Sequence, residues 1–234
     1  MANILTVKNL VKRYGAKKVL HGISLSLESG RILGLMGPNG SGKTTFLKVL
    51  AGLLQANGGD VLVCGNKIGV KTKSLVSFLP DRNIMPKWMT ALDAIDYYRD
   101  FFSDFDVAKA QELLNFMNLE PSVQVSQMSK GMIEKLNLTL CFARKARLYL
   151  LDEPLGGVDP VARERIVSAI VQTYSEDSSI IVSTHLVHDI EKMFNDVCFI
   201  GSGEVILYGS ANDLRSEREV DIDELYIQIF RDKS

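Results

Sequence analysis

The chain has 234 residues, enough for one large domain or a compact core with an appended subdomain. Hydrophobic residues make up 46% and charged residues 24%, an ordinary globular balance, and the net charge of −1 gives no support to bulk, sequence-independent nucleic-acid binding. Cys64, Cys141 and Cys198 are widely separated and form no C-x-x-C pair, which suits reduced, mostly buried thiols in a cytosolic protein better than disulfides or zinc.

No stretch approaches the roughly 18 consecutive apolar residues that span a bilayer. The opening "MANILTVKNLVKRYG" also lacks the basic-then-apolar plan of a signal peptide. "ILTVKNLV" and "GISLSLESG" alternate apolar and polar residues, as half-buried strands do. "RILGLMG" reads as a short buried strand ending in glycine, and "KTTFLKVLAGLL" follows with helical spacing of Phe46, Leu47, Leu50 and Leu53. "GGDVLVCG" returns to strand, "NKIG" reads as a turn, and "KSLVSFLP" is another strand, stopped by Pro80. From Thr90 to about Arg144 the pattern is mostly helical and rich in aromatics. Thr90 followed by Asp93 is a helix cap with an acid in the first turn, and "DVAKAQELLNFMNL" makes a second helix. "RLYLLDEP", "SSIIVSTH" and "DVCFIGSGEVILYG" then resume as strands, the last with a hairpin turn at Gly201–Gly203. Between the first two, "PVARERIVSAIVQTYS" reads as a helix opened by Pro160. "DIDELYIQIF" closes the chain as a short acidic-aromatic helix. Alternating strands and helices predict a mainly parallel α/β sheet with a helical insertion and some adjoining antiparallel strands.

"GPNGSGKT" fits G-x-x-x-x-G-K-[ST] through Gly37, Gly42, Lys43 and Thr44, between a predicted strand and a predicted helix. Glycines let the backbone curl until successive N–H groups point at phosphate oxygens. Lys43 can then reach the β- and γ-phosphates, and the Thr44 hydroxyl can ligate Mg²⁺. In "LYLLDEP", Asp152 would emerge at the carboxyl end of a buried strand, where it can hold the hydration shell of that Mg²⁺. Glu153 is placed to take a proton from attacking water. A guanine-reading N-K-x-D motif fails at "NKIG", where Gly69 stands in place of the aspartate. A second anion-attracting helix start lies at "MSKGM", where Ser129 and Gly131 lead into an amphipathic helix.

Taken in order, these motifs resemble the ATP-binding cassette (ABC) family, specifically the nucleotide-binding subunit of a transporter, over nearly the whole chain. The resemblance implies a P-loop NTPase (RecA-like) core with an N-terminal antiparallel β subdomain. It also implies an inserted α-helical subdomain at about 84–145, all within one ABC domain spanning 1–234. Tyr14 in "KRYG" matches the aromatic that stacks on adenine. Gly37, Pro38, Asn39, Gly40, Ser41, Gly42, Lys43, Thr44 and Thr45 match the phosphate loop. Asp152 matches the metal-binding acid, Glu153 the catalytic base, and His185 the histidine that contacts the γ-phosphate. Asp159 in "GGVDP" matches the loop that crosses to the other subunit, and Gly156 stands there where serine is common. "MSKGM" falls where the signature belongs, so Ser129, Lys130 and Gly131 would contact ATP held by a second, identical or related cassette. Lys130 replaces a glycine and Met132 a glutamine, a variation similar to exporter-like subunits. Asp81 in "FLPDRN" takes the place of the usual glutamine and could bind a metal-bound water.

What the resemblance implies is an ATPase using ATP and Mg²⁺, closing as a dimer on ATP and reopening on hydrolysis. It would drive a separate transmembrane permease from the cytoplasmic face of the cell membrane, with no nucleic-acid partner. The aromatics Trp88 to Phe105 would form either the groove receiving a helix of that permease or the subdomain's own core. Non-transport ABC proteins of DNA repair or the ribosome usually carry a long coiled coil or two cassettes, which this sequence lacks. An ATP-holding regulator without turnover finds support only in Lys130 and Asp81, and a P-loop kinase would not need "MSKGM" and "STH" together.

Overall fold

The structure, a computed structural model, describes residues 3–173 and 175–231. Met1, Ala2, Tyr174 and residues 232–234 lie outside that range, so the expected helix "PVARERIVSAIVQTYS" is described only as far as Thr173. In chain order the elements are β1 Asn3–Tyr14, β2 Lys17–Glu28, β3 Ile32–Met36, α1 Lys43–Leu50, β4 Gly58–Val63 and β5 Asn66–Lys67. There follow α2 Val70–Lys73, β6 Val76–Leu79, α3 Ala91–Phe101, α4 Val107–Phe116, α5 Lys130–Phe142 and β7 Leu148–Asp152. The chain ends with α6 Pro160–Thr173, β8 Ser179–Thr184, β9 Asp196–Gly201, β10 Glu204–Ser210, α7 Ala211–Arg218 and α8 Ile222–Phe230.

Two sheets form. One has the order β2-β1-β4-β5 and is antiparallel; the other runs β10-β9-β3-β8-β7-β6, with all neighbours parallel except the β10–β9 hairpin. The central strands read as unbroken apolar runs because both faces are covered. Their period-two alternation sorts the side chains. Met36, Tyr149, Leu151, Ile180, Val182, Val197 and Phe199 join the core under α5 to α8. Leu33, Leu35, Leu148, Leu150, Ile181, Cys198 and Ile200 join the core shared with α1 and the antiparallel sheet. A third cluster, built on Ala91, Ala94, Ile95, Leu114, Leu136 and Leu140, holds α3 to α5 together.

Thr90 and Asp93 form a reciprocal capping box at the start of α3, and Asp106 caps α4 by accepting from the Lys109 N–H at 3.0 Å. The Ser202-Gly203 turn, both residues at positive φ, closes the β9–β10 hairpin as its sequence predicts. All three cysteines are free thiols, with Cys141 and Cys198 buried. Two local expectations fail. Helix α1 ends at Leu50, because Gly52 adopts a left-handed φ of 69° and turns the chain outward, leaving Leu53 59% exposed. Asn66 and Lys67 pair with Val63 and Leu62 as a short strand, so the turn lies one step earlier, at Cys64-Gly65, where both φ angles are positive.

Candidate active site

β3 ends at Met36, and the chain loops through residues 37–42 into α1. Gly37 passes so close to β9 that a Cβ there would overlap the Ile200 carbonyl oxygen and crowd the Ser41 hydroxyl. Gly37→Ala is therefore expected to destabilise the fold by about 3 kcal/mol or more, read as a fall in the denaturation midpoint. Gly42 precedes α1 at a φ of 108° and supplies no side-chain cap, so the helix start keeps its N–H groups for an anion. Lys43, only 6% exposed, donates to the Gly37 carbonyl at 2.7 Å and to the Pro38 carbonyl at 3.4 Å. The loop lines a hollow of about 350 Å³ with Asn39, Gly40, Ser41, Thr44 and Thr45, and Asp81 and Glu153 line it too.

Asp152 reaches the same place from β7. Its Oδ1 accepts from the Thr44 hydroxyl at 3.1 Å and from the Ser183 hydroxyl at 2.7 Å, whereas Oδ2 is buried with no partner. Burial pushes the Asp152 carboxyl up, against those two hydroxyls, and the nearby carboxylates of Asp81 and Glu153 push the same way. A buried, half-satisfied carboxylate beside a threonine hydroxyl is a donor set that suits a hard divalent cation. Ser183 is the residue the sequence reading missed. It sits two places before His185 in "STH", and the β7–β8 register sets it opposite Asp152.

Glu153 has left the strand with a φ of 52°, the left-handed region that costs a non-glycine residue about 1 kcal/mol or more. Its N–H is held by the Ser183 carbonyl and hydroxyl, each at 3.1 Å. This turn aims the carboxylate back at the loop. Oε1 lies 3.4 Å from the Lys43 ammonium and Oε2 lies 2.8 Å from Nδ1 of His185. Lys43, Thr44, Asp152, Glu153 and His185 thus meet at the carboxyl ends of adjacent strands.

Tyr14 stands apart. It pairs with Lys17 across the β1–β2 hairpin, is 48% exposed with the Lys12 ammonium 5.2 Å from its ring, and does not line the hollow that Lys17 and Val19 border. Ser129, Lys130, Gly131 and Asp159 also lie outside those walls. They form a second group instead. The Ser129 hydroxyl caps α5 by accepting from the Met132 N–H at 3.2 Å, and Asp159 caps α6 through the Ala162 N–H at 3.0 Å. Gly131 faces Val158 and Asp159, while the Lys130 side chain crosses Gly157.

The aromatics divide. Tyr98 and Phe102 border a groove of about 380 Å³ with Phe78, Ile84 and Arg144, the last stacked 4.2 Å over the Phe102 ring. Trp88, Tyr97 and Phe101 face outward, Trp88 67% exposed. Arg144 is buried, paired with Asp104 at 3.0 Å and donating to the Val76 carbonyl at 2.9 Å. Among the described residues no helix is long and apolar enough to cross a membrane.

Residues 20–156 match the family model described as "ABC transporter". The chain belongs to the ABC transporter family. The cassette is 32% identical over 217 residues to the ABC transporter ATP-binding protein YtrB of Bacillus subtilis, covering 92% of this chain and 74% of that protein. It is also 32% identical over 228 residues to the Nod factor export ATP-binding protein I of Burkholderia orbicola, covering 94% and 75%. A solved ATP-binding subunit of an ABC transporter superposes with a TM-score of 0.86 at 25% identity, over 96% of this chain and 98% of that one. A dimeric cassette in a post-hydrolysis state bound to ADP and Pi superposes at 0.78, with 20% identity over 88% and 98%, a likeness of fold.

The helix that begins at Ser129 buries Glu134, whose carboxyl is pushed up to about 7 mainly by burial, with Asp81 adding and Lys130 opposing. Between the ordinary value of 4.5 and about 7 the folded cassette holds a proton there that the unfolded chain releases. Stability must therefore fall as pH rises through that window and stay reduced above it. Glu134→Gln should remove the slope and stabilise the cassette at pH 8 by on the order of 2 kcal/mol. Denaturation midpoints of the two proteins at pH 5 and pH 8 check this, and a parallel pair of profiles would contradict it.

Proposed function

We propose that this cassette binds ATP and hydrolyses it as a dimer, driving a separate permease from the cytoplasmic face of the membrane. The observation that carries the reading is that Lys43, Thr44 and Glu153 line one hollow, with Asp152 bonded to Thr44 and His185 to Glu153, and Asp152 Oδ2 left unpartnered. The open N–H groups of the loop and α1 receive the phosphates. Lys43, now shared between two carbonyls and Glu153, transfers its ammonium to the terminal phosphates.

Thr44 and Asp152 are the residues that would hold Mg²⁺, and Asp81 lines the same hollow. Bound there, the ion supplies charge neutralisation on phosphate oxygens. Ser183 donates to Oδ1 of Asp152, so Oδ2, which has no partner, would be the oxygen available to the cation. Glu153 accepts the proton of the attacking water, and its bond to His185 Nδ1 occupies that ring nitrogen, so that Nε2 is the one that would contact the γ-phosphate.

The separation of the Ser129–Gly131 helix start from this hollow supports a site shared between two cassettes. A helix N-terminus carries roughly half a positive charge and serves an anion held by another chain. The γ-phosphate then bridges the dimer, and its loss on hydrolysis reopens it. Tyr14 is the proposed adenine platform, and Asp159 the residue reaching toward the partner. The aromatic groove is the proposed seat of a permease helix. The relative named for Nod factor export supports outward movement of cargo. Phosphate release from ATP by the purified cassette, with and without Mg²⁺, tests the reading. Mg²⁺-dependent release is expected; none above the rate in buffer would refute it.

A further inference from the structure

The segment that follows His185 is tied to the C-terminal helices by a bond the hydrolytic reading does not use. Residues 187–191 form a tight turn, in which the Glu191 N–H donates to the Val187 carbonyl at 2.9 Å, with Val187 and Ile190 buried beneath. Glu191 is itself only 5% exposed. Its Oε2 accepts from the Asp223 N–H at 3.1 Å, in the first turn of α8. Its carbonyl accepts from Arg215 Nη2, on α7, at 2.7 Å.

The choice of cap is informative. Asp221 occupies the N-cap position of α8 with a residue type suited to capping, yet its side chain makes no capping bond. The carboxylate comes instead from the segment that carries His185. Placing it there sets a third acid beside Asp223 and Glu224 in the first turn, offset by the helix N-terminus. His188 adds a longer contact to Asp223, at 3.8 Å. Further along α8, Tyr226 packs on Phe199, which is registered beside Met36 at the entry to the phosphate loop. The Tyr226 phenol is pushed up by burial first and by the Glu153 and Asp223 charges next, so α8 lies within the field of the candidate base.

We propose that Glu191 is a positioning residue: by capping α8 it fixes the turn behind His185, and so holds the imidazole against Glu153. The proposal rests on the reading of Glu153 and His185 as the hydrolytic pair. Its test is single-turnover ATP hydrolysis by the full chain, with nucleotide affinity measured separately. Glu191→Ala should slow hydrolysis about tenfold while affinity stays within about twofold, since misplacing a catalytic group costs rate before binding. Glu191→Gln keeps a side-chain oxygen to accept from the Asp223 N–H and should recover most of the rate. In a His185→Ala background, Glu191→Ala should cost less than about twofold, because the group it positions is gone.

An unchanged rate in Glu191→Ala, a parallel loss of affinity, no recovery in Glu191→Gln, or an undiminished tenfold loss without His185 would each overturn the proposal. The last of these is what a purely structural brace predicts. Failure of the underlying reading looks different: a wild-type cassette with no hydrolysis, or His185→Ala at the wild-type rate.

Discussion

Glu153→Gln should bind ATP as tightly as the wild-type cassette, or more tightly, and lose turnover by about 100-fold or more. The two halves of that expectation come from one geometry. Glu153 Oε2 and His185 Nδ1 are 2.8 Å apart, so removing the carboxylate removes the proton acceptor and changes the group that holds the imidazole. Oε1 lies 3.4 Å from the Lys43 ammonium, which the phosphates must recruit. A neutral amide gives that cation up more easily and does not repel the triphosphate. Steady-state phosphate release and equilibrium nucleotide binding, measured on the same preparation, separate the effects. With cleavage blocked, ATP should also shift the variant to a dimer in size-exclusion chromatography. Retained turnover would remove Glu153 as the base.

Much of this arrangement is written in local patterns, and two functional exceptions, Ser183 and Glu191, share a cause. The buried strands announce themselves through apolar runs such as Leu148 to Leu151, because a strand covered on both faces admits little else. The phosphate loop is legible because the close approach of Gly37 to Ile200 and the positive φ of Gly42 restrict those positions to glycine. Thr90 and Asp93 are legible because a capping box is complete within four residues. Ser183 was overlooked because its partner, Asp152, is 31 residues away and only strand register joins them. The same holds for Glu191, which caps a helix 32 residues downstream. Leu53 fits helical spacing but lies beyond Gly52, where backbone conformation outweighs periodicity. Tyr14 is a motif match whose ring, in this structure, rests under Lys12 and does not line the hollow.

Asp152→Asn should separate stability from function in opposite directions. The wild-type carboxylate is buried with Oδ2 unpartnered, and its pKa is raised by that burial. With a folded pKa above the unfolded one, the cassette loses stability as pH rises from the ordinary aspartate range through the raised value. Above that raised value, with no cation present, it carries that cost in full. Asparagine keeps an oxygen for the Thr44 and Ser183 hydroxyls and removes the buried charge, so the apo variant should unfold at the same temperature or higher. The reverse holds with Mg²⁺ and ATP. The wild-type midpoint should rise by several degrees on adding both, because ligand binding to the folded state alone stabilises it. The variant should lose most of that Mg²⁺-dependent increment and about 100-fold or more in turnover, since its amide presents no charge to the cation. Thermal denaturation with nucleotide alone, and with nucleotide plus Mg²⁺, measures the difference directly. An asparagine variant that is destabilised without ligand yet keeps its full Mg²⁺ increment would mean that Asp152 serves the fold and that the cation is held elsewhere.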